Sequence, residues 1–201
     1  MVLALPARTK RLVLRRFEPQ EAEIFFGYCN DPAVARLQSW NGISRTAALQ
    51  CVRVQGASQA AAPGEWFQIA LALAHSNQLV GDVGVCIGKD GRAAELGFTL
   101  ARAHQKSGYA AEGVRCTVDL LFGVPAIGRV TAVTDARNRS ARKLLDRLGF
   151  QNIATTHRLF KGAQCAEHTF EIKRAEWFGC QPLTGAPAQL KSGCFCVRHP
   201  V

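Results

Sequence analysis

Residues 104–114 read HQKSGYAAEGV and stand between an alternating stretch, AAELGFTLA, and an apolar run, CTVDLLFGV. Period-two alternation predicts a strand. Val114, Val118, Leu121 and Phe122 recur on one helical face and predict a helix from about Gly108 to Phe122. A helix start leaves its first N–H groups without partners and carries the positive end of the dipole. Gly108 has no Cβ, and Ala110 and Ala111 have almost no side chain, so a phosphate can approach that backbone closely. The run Gln105-Lys106-Ser107-Gly108-Tyr109-Ala110 is therefore suited to be an anion cradle built from backbone, with Lys106 as a positive charge at its lip. A plain strand-to-helix turn has the same appearance, and this motif alone does not choose between them.

The rest of the chain supplies a frame. KRLVLRRF predicts a first strand and EPQEAEIFFGYCND a helix, with Glu18, Glu21 and Glu23 near its positive end. Asp31 and Pro32 suit the cap and first position of a second helix, PAVARLQS, and Ser44 caps a third over residues 45–57. WFQIALAL, QLVGDVGVCIG and AAELGFTLA, separated by AHSN and KDGR, predict an antiparallel meander. GRVTAVT is a short strand. NRSARKLLDRLGF is a helix with Leu144, Leu145 and Leu148 turned inward and Gly149 at its C-terminal cap. QNIATTHRLF and QCAEHTFEIKR form a strand pair turning at Lys161-Gly162. The passage over residues 94–134 is a crossover, which permits one parallel pair in a mostly antiparallel sheet. The fold class expected is α+β: a twisted, mixed sheet flanked by helices with a central β-α-β unit. Residues 1–178 form one domain, and 179–201, rich in Gly and Pro and aperiodic, form an irregular tail.

Net charge narrows the partners. At +10 the chain favours anions. Arg137, Arg139, Arg142, Lys143 and Arg147 gather in one place, which suits a local anion better than a nucleic-acid stripe. Aromatic residues do not interleave with the basic ones, so nucleic acid is a poor fit. No apolar run reaches membrane-spanning length, and no basic segment precedes the apolar start as a signal peptide requires. The eight Cys show no framework spacing; Cys86 and Cys116 read as buried thiols, and a reducing cytoplasm is the expected setting. Cys180, Cys194, Cys196 and His199 match no standard zinc spacing, so no metal is expected.

AELGFTLA, SGYAAEGV and TDARNRSARKLLDRLGF together resemble the GNAT superfamily of N-acetyltransferases. The family's turn has the form Gln/Arg-x-x-Gly-x-Gly/Ala, here Gln105 to Ala110. Its next helix begins with Asn and ends with Leu-Gly-Phe, here Asn138 and Leu148-Gly149-Phe150. With LVGDVGV, the pattern looks like the branch that acetylates the N-terminal Ala or Ser of ribosomal proteins. The likeness spans roughly residues 10–177.

The resemblance implies acetyl-coenzyme A as cosubstrate. Its pyrophosphate would lie on residues 105–110 and its pantetheine arm along Phe98, Thr99 and Leu100. Asn138 would bind the arm from the other side, with Arg142 or Lys143 at the outer phosphate. Solvated helix-face roles are equally open to Arg142 and Lys143. A primary amine, either a peptide N-terminus or a small molecule, would attack the thioester directly once deprotonated. Glu95, beside the implied cleft, is the candidate base; a sheet carboxylate paired with Arg is its other reading. For the leaving thiolate, some relatives carry Ser or Tyr where this chain has Ala141 or Leu145. Ser140, one position earlier, is the remaining candidate acid, or a helix cap. Tyr109 is expected to pack. Phe26, Trp40 and Trp66 suit either an acceptor wall or the core. No dense acidic cluster stands in the segments expected to bind the acceptor, which disfavours a polycation. A module that binds acyl-coenzyme A without turnover is the alternative, and a homodimer is open.

Overall fold

The computed structural model describes residues 2–38, 40 and 42–179. One sheet of eight strands organises it, in the order β1-β2-β3-β4-β5-β6-β8-β7. The strands are β1 (Ala7–Arg8), β2 (Leu12–Arg15), β3 (Trp66–Leu73), β4 (Leu79–Ile87), β5 (Ala93–Leu100), β6 (Arg129–Asp135), β7 (Gln151–Phe160) and β8 (Ala163–Lys173). Every neighbouring pair is antiparallel except β5 with β6, the pair joined by the crossover. The helices are α1 (Ala22–Cys29), α2 (Pro32–Ala35), α3 (Arg45–Ala57), α4 (Tyr109–Phe122), α5 (Arg139–Arg147) and α6 (Arg174–Gly179).

The sheet is apolar on both faces because helices cover both. On one face α4 and α5 insert Val114, Val118, Leu121, Phe122 and Leu145 among Leu71, Val83, Leu96, Val130 and Phe170, all nearly inaccessible. Gly113 lets α4 approach closely: a Cβ there would stand 2.9 Å from the side chain of Leu71. On the other face α1 and α3 pack Phe25, Tyr28, Ala48 and Val52 against Ala70 and Leu79. The expected α+β fold with its β-α-β unit is what forms.

Several boundaries differ from the sequence expectation. The first helix opens as a 3-10 turn over Pro19–Glu21, and Glu21 there is buried against the guanidinium of Arg15 at 2.7 Å. α2 is a single turn ending at Ala35, shorter than PAVARLQS suggests. Cys116 is buried, but Cys86 is only half-buried on the α1/α3 face. α6 follows β8 directly, where periodicity ends. Its Trp177 Nε1 donates to Asp119 at 2.7 Å, and Arg115 lies over the indole at 5.2 Å. Arg174 donates to the carbonyl groups of Phe122, Val124 and Ile127, satisfying chain ends left open after α4. The expected tail, with Cys180, Cys194, Cys196 and His199, lies outside the described residues but for Gly179, the last residue of α6.

Candidate functional site

Parallel pairing of β5 with β6 stops at Leu96 with Ala132. Beyond it β6 continues beside β8 through Asp135, while β5 continues beside β4 through Leu100. The two central strands therefore part, and a cleft opens along the released edge of Gly97–Leu100. Both strands lead into helices at this end, α4 after β5 and α5 after β6.

The turn into α4 has the expected form. Gln105 Nε2 donates to the carbonyl of Leu100 at 3.0 Å, bracing the turn on the strand end. Lys106 and Gly108 take left-handed backbone, with φ of 62° and 82°, and Gly108 occupies the N-cap position of α4. Within 4 Å, a Cβ at Gly108 would meet only Nη2 of Arg11, at 3.2 Å. The N–H groups of the first α4 turn thus stand behind an opening of atomic size, as a phosphate requires. Ser107 is exposed, and Ala110 and Tyr109 pack on the core with Arg11 4.7 Å above the phenol ring.

The other residues singled out in the sequence divide by role. Phe98 and Leu100 point into the α4-side core, and Thr99 is buried on the opposite face, where its hydroxyl accepts from Gln38 Nε2 at 3.3 Å. Asn138 Oδ1 caps α5 by accepting from the Ala141 N–H at 3.1 Å, so Ser140, exposed in the first turn, is not the cap. Leu145, fully buried, is core. The basic cluster is partly committed: Arg137 is ion-paired with Asp135 at 2.6 Å, and Arg142 Nη1 donates to the Ala136 carbonyl at 3.0 Å. Lys143 is exposed.

On the α1/α3 face the strand register places three rows side by side: Cys86, Glu95 and Thr131; Gln68, Gly84 and Gly97; Ala70, Asp82 and Thr99. A Cβ at Gly97 would meet nothing within 4 Å, so the floor between Glu95 and Thr99 is open. The side-chain amide of Gln68 lies over Gly84, and its Oε1 is buried with no hydrogen-bond partner among the described residues. Glu95 is half-buried; burial, then the charge of Glu167, push its carboxyl above the ordinary range. Glu167, on β8, is held by Arg158 at 2.6 Å. Asp82, buried, accepts from the Tyr28 hydroxyl at 2.7 Å.

Sequence reasoning did not find Tyr28, Asp82 or Glu167. Asp82 carried a signal, a lone acid in the apolar run LVGDVGVCI. Glu167 carried none, because only the register of β8 on β6 brings it to the face of Glu95. Two carboxylates far apart in sequence, Glu95 and Glu167, thus come within electrostatic reach of each other. Phe26 and Trp40 pack on the α1/α3 core, while Trp66 is 45% exposed. At the hairpin tip Lys161 Nζ donates to the carbonyls of Ala35 and Trp40 at 2.6 and 2.7 Å, tying the β7–β8 turn to the chain after α2.

The family described as "Acetyltransferase (GNAT) domain" matches residues 11–151. A Bacillus licheniformis protein named Uncharacterized N-acetyltransferase p20 is 24% identical over 174 residues, covering 85% of this chain and 97% of its own. A spermidine N-acetyltransferase from Vibrio cholerae, solved with coenzyme A and spermine, superposes with a TM-score of 0.73 at 17% identity, covering 85% of this chain and 99% of its own. RimL, a ribosomal L7/L12 alpha-N-protein acetyltransferase solved with coenzyme A, gives a TM-score of 0.70 at 14% identity, covering 82% and 95%. At these identities the structural likeness is one of fold. Among the described residues no helix is long and apolar enough to cross a membrane.

Proposed function

The chain belongs to the GNAT acetyltransferases, and from that premise we propose that it transfers an acetyl group from acetyl-coenzyme A to a primary amine held on the Glu95 side of the cleft. The cosubstrate supplies the acetyl group as a thioester. The observation that carries the reading is the coincidence of three features at one strand end. There β5 loses its β6 partner, Gly108 opens the start of α4, and Gly97 leaves open floor.

Residues 105–110 hold the pyrophosphate through backbone N–H groups, with Lys106 at the rim. The released backbone of Phe98, Thr99 and Leu100 pairs with the amides of the pantetheine arm. The amide nitrogen of Asn138, not used in capping α5, faces the same arm. Lys143 and Arg142 serve the outer phosphate, Arg142 only with the guanidinium nitrogens left by its bond to Ala136.

Glu95 takes the proton from the acceptor ammonium at its carboxylate oxygen. Its upward shift suits this role, since a base works best when its pKa lies near the working pH. Glu167, whose charge is felt at Glu95, adds an acceptor for the N–H groups of a cationic amine. Ser140, exposed at the start of α5, is the hydroxyl that α5 offers toward the leaving thiolate.

The acceptor is an amine that arrives as an ammonium, either a peptide N-terminus or a small amine. The fold alone does not choose, because it superposes comparably on an enzyme named for spermidine and on one named for a protein N-terminus. The test is mass spectrometry of a panel of N-terminal peptides and small amines incubated with the protein and acetyl-coenzyme A, with free thiol followed in parallel. Acetylated acceptor with stoichiometric thiol supports the reading. Tight binding of acetyl-coenzyme A with no acetylated product across the panel contradicts it.

A further inference from the structure

Glu112 presents a difficulty for a phosphate cradle. It sits in the first turn of α4, four residues after Gly108, where a free carboxylate would repel the pyrophosphate. The structure answers with the turn between β1 and β2. Thr9 Oγ1 donates to Glu112 Oε1 at 2.5 Å, the Arg11 backbone N–H donates to the same oxygen at 2.8 Å, and Arg11 Nε donates to Oε2 at 2.7 Å. Burial alone would raise the Glu112 carboxyl; the Thr9 and Arg11 bonds outweigh it and hold it below the ordinary range.

The same guanidinium reaches the cradle itself. Arg11 Nη1 donates to the Ser107 carbonyl at 2.8 Å, and its plane covers the Tyr109 ring. Nη2 has no hydrogen-bond partner among the described residues and lies 3.2 Å from the position a Cβ would take at Gly108. An Arg with Nε, Nη1 and ring face all fixed is already ordered, so its remaining donors cost little further entropy to use.

We propose that Arg11 is a cofactor-binding residue whose Nη2 donates to the pyrophosphate of acetyl-coenzyme A, while its Nε neutralises Glu112. This rests on the acetyltransferase reading above, and it assigns to the N-terminal strand turn a part in the phosphate site that the 105–110 run alone does not hold. Arg11 is placed differently from Lys106: Lys106 projects from the loop with no hydrogen bond among the described residues, whereas Arg11 is a fixed fork at the lip.

The experiment is calorimetric titration of acetyl-coenzyme A, and separately of S-acetylpantetheine, which lacks the pyrophosphate and the outer phosphate alike. The proteins are the parent, Arg11→Ala, Arg11→Lys, Glu112→Gln and the Arg11→Ala/Glu112→Gln double variant, each confirmed folded by circular dichroism. Arg11→Ala is expected to weaken acetyl-coenzyme A by about tenfold or more, the scale of a charge-assisted bond to phosphate. Arg11→Lys, without the fork, should recover only part of it. The double variant should remain about tenfold weaker than Glu112→Gln alone. S-acetylpantetheine should bind all five within about twofold.

Equal affinities for the double variant and Glu112→Gln would overturn the proposal, because Arg11 would then act only by masking Glu112. A parallel loss of S-acetylpantetheine would overturn it too, by showing a collapsed cleft. If Arg11→Ala does not fold, the Arg11→Lys and Glu112→Gln arms decide: unchanged acetyl-coenzyme A affinity in Arg11→Lys contradicts the fork contact. A parent that binds neither ligand would instead count against the acetyltransferase reading.

Discussion

The hydroxyl of Tyr28 donates to the carboxylate of Asp82 at 2.7 Å, and both residues are buried under α1 and α3. Burial raises the Asp82 carboxyl from 3.8 to about 7, and the Tyr28 bond offsets only part of that shift. Between those two values the folded chain holds a proton that the unfolded chain has lost. Stability therefore falls as pH rises through this window. Asp82→Asn removes the titrating group. From pH 5 to pH 8 the parent should lose about 2–3 kcal/mol more stability than the variant in urea unfolding, by the conversion of pKa shift to free energy. Parallel pH profiles for the two proteins would show that Asp82 is not the group responsible.

Glu95→Gln keeps the shape at the cleft and removes the proton acceptor. Turnover should drop by roughly 10²-fold, the scale of general-base catalysis, with acetyl-coenzyme A affinity nearly unchanged. The parent's turnover should rise with pH through the elevated Glu95 pKa, because the deprotonated form is the active one. Raising pH further should partly rescue the variant as the amine itself deprotonates. Full turnover of Glu95→Gln at neutral pH would make Glu95 a sheet carboxylate and leave the base to water or to Glu167.

What could be read from the residues, and what could not, follows from the range of the interactions involved. The three-strand meander, the α3 bounds and the Gly108 turn depend on period and on local backbone chemistry, and all three appear where expected. The one parallel pair, which the strand-helix-strand passage permits, also forms. Glu167 was invisible because its place depends on β8 inserting between β6 and β7. Arg11 was read only as part of an alternating strand, and nothing local tells that it folds onto a turn some 96 residues later. Within the basic cluster, Arg137 is ion-paired with Asp135, two residues away, which leaves Arg139, Arg142, Lys143 and Arg147 as the cations to consider for an anion.

α6 makes a prediction that composition did not. Trp177 joins the helix to α4 through its bond to Asp119 and its contact with Phe122, ring centroids 6.4 Å apart. Trp177→Ala should destabilise the chain by about 2 kcal/mol, less than a fully buried Trp because the indole is only partly covered. Urea midpoints report it directly. An unchanged midpoint would mean that α6 contributes no net stability.

The most direct test of the account is acetyl-coenzyme A binding to Gly108→Glu, measured by calorimetry beside Gly108→Ala. Both variants carry the strain of a side chain at φ of 82°, but only Glu fills the cradle and sets a negative charge against the pyrophosphate. The parent should bind, Gly108→Ala should bind more weakly, and folded Gly108→Glu should show no measurable binding. Parent-like affinity in folded Gly108→Glu would place the cofactor elsewhere and contradict the site.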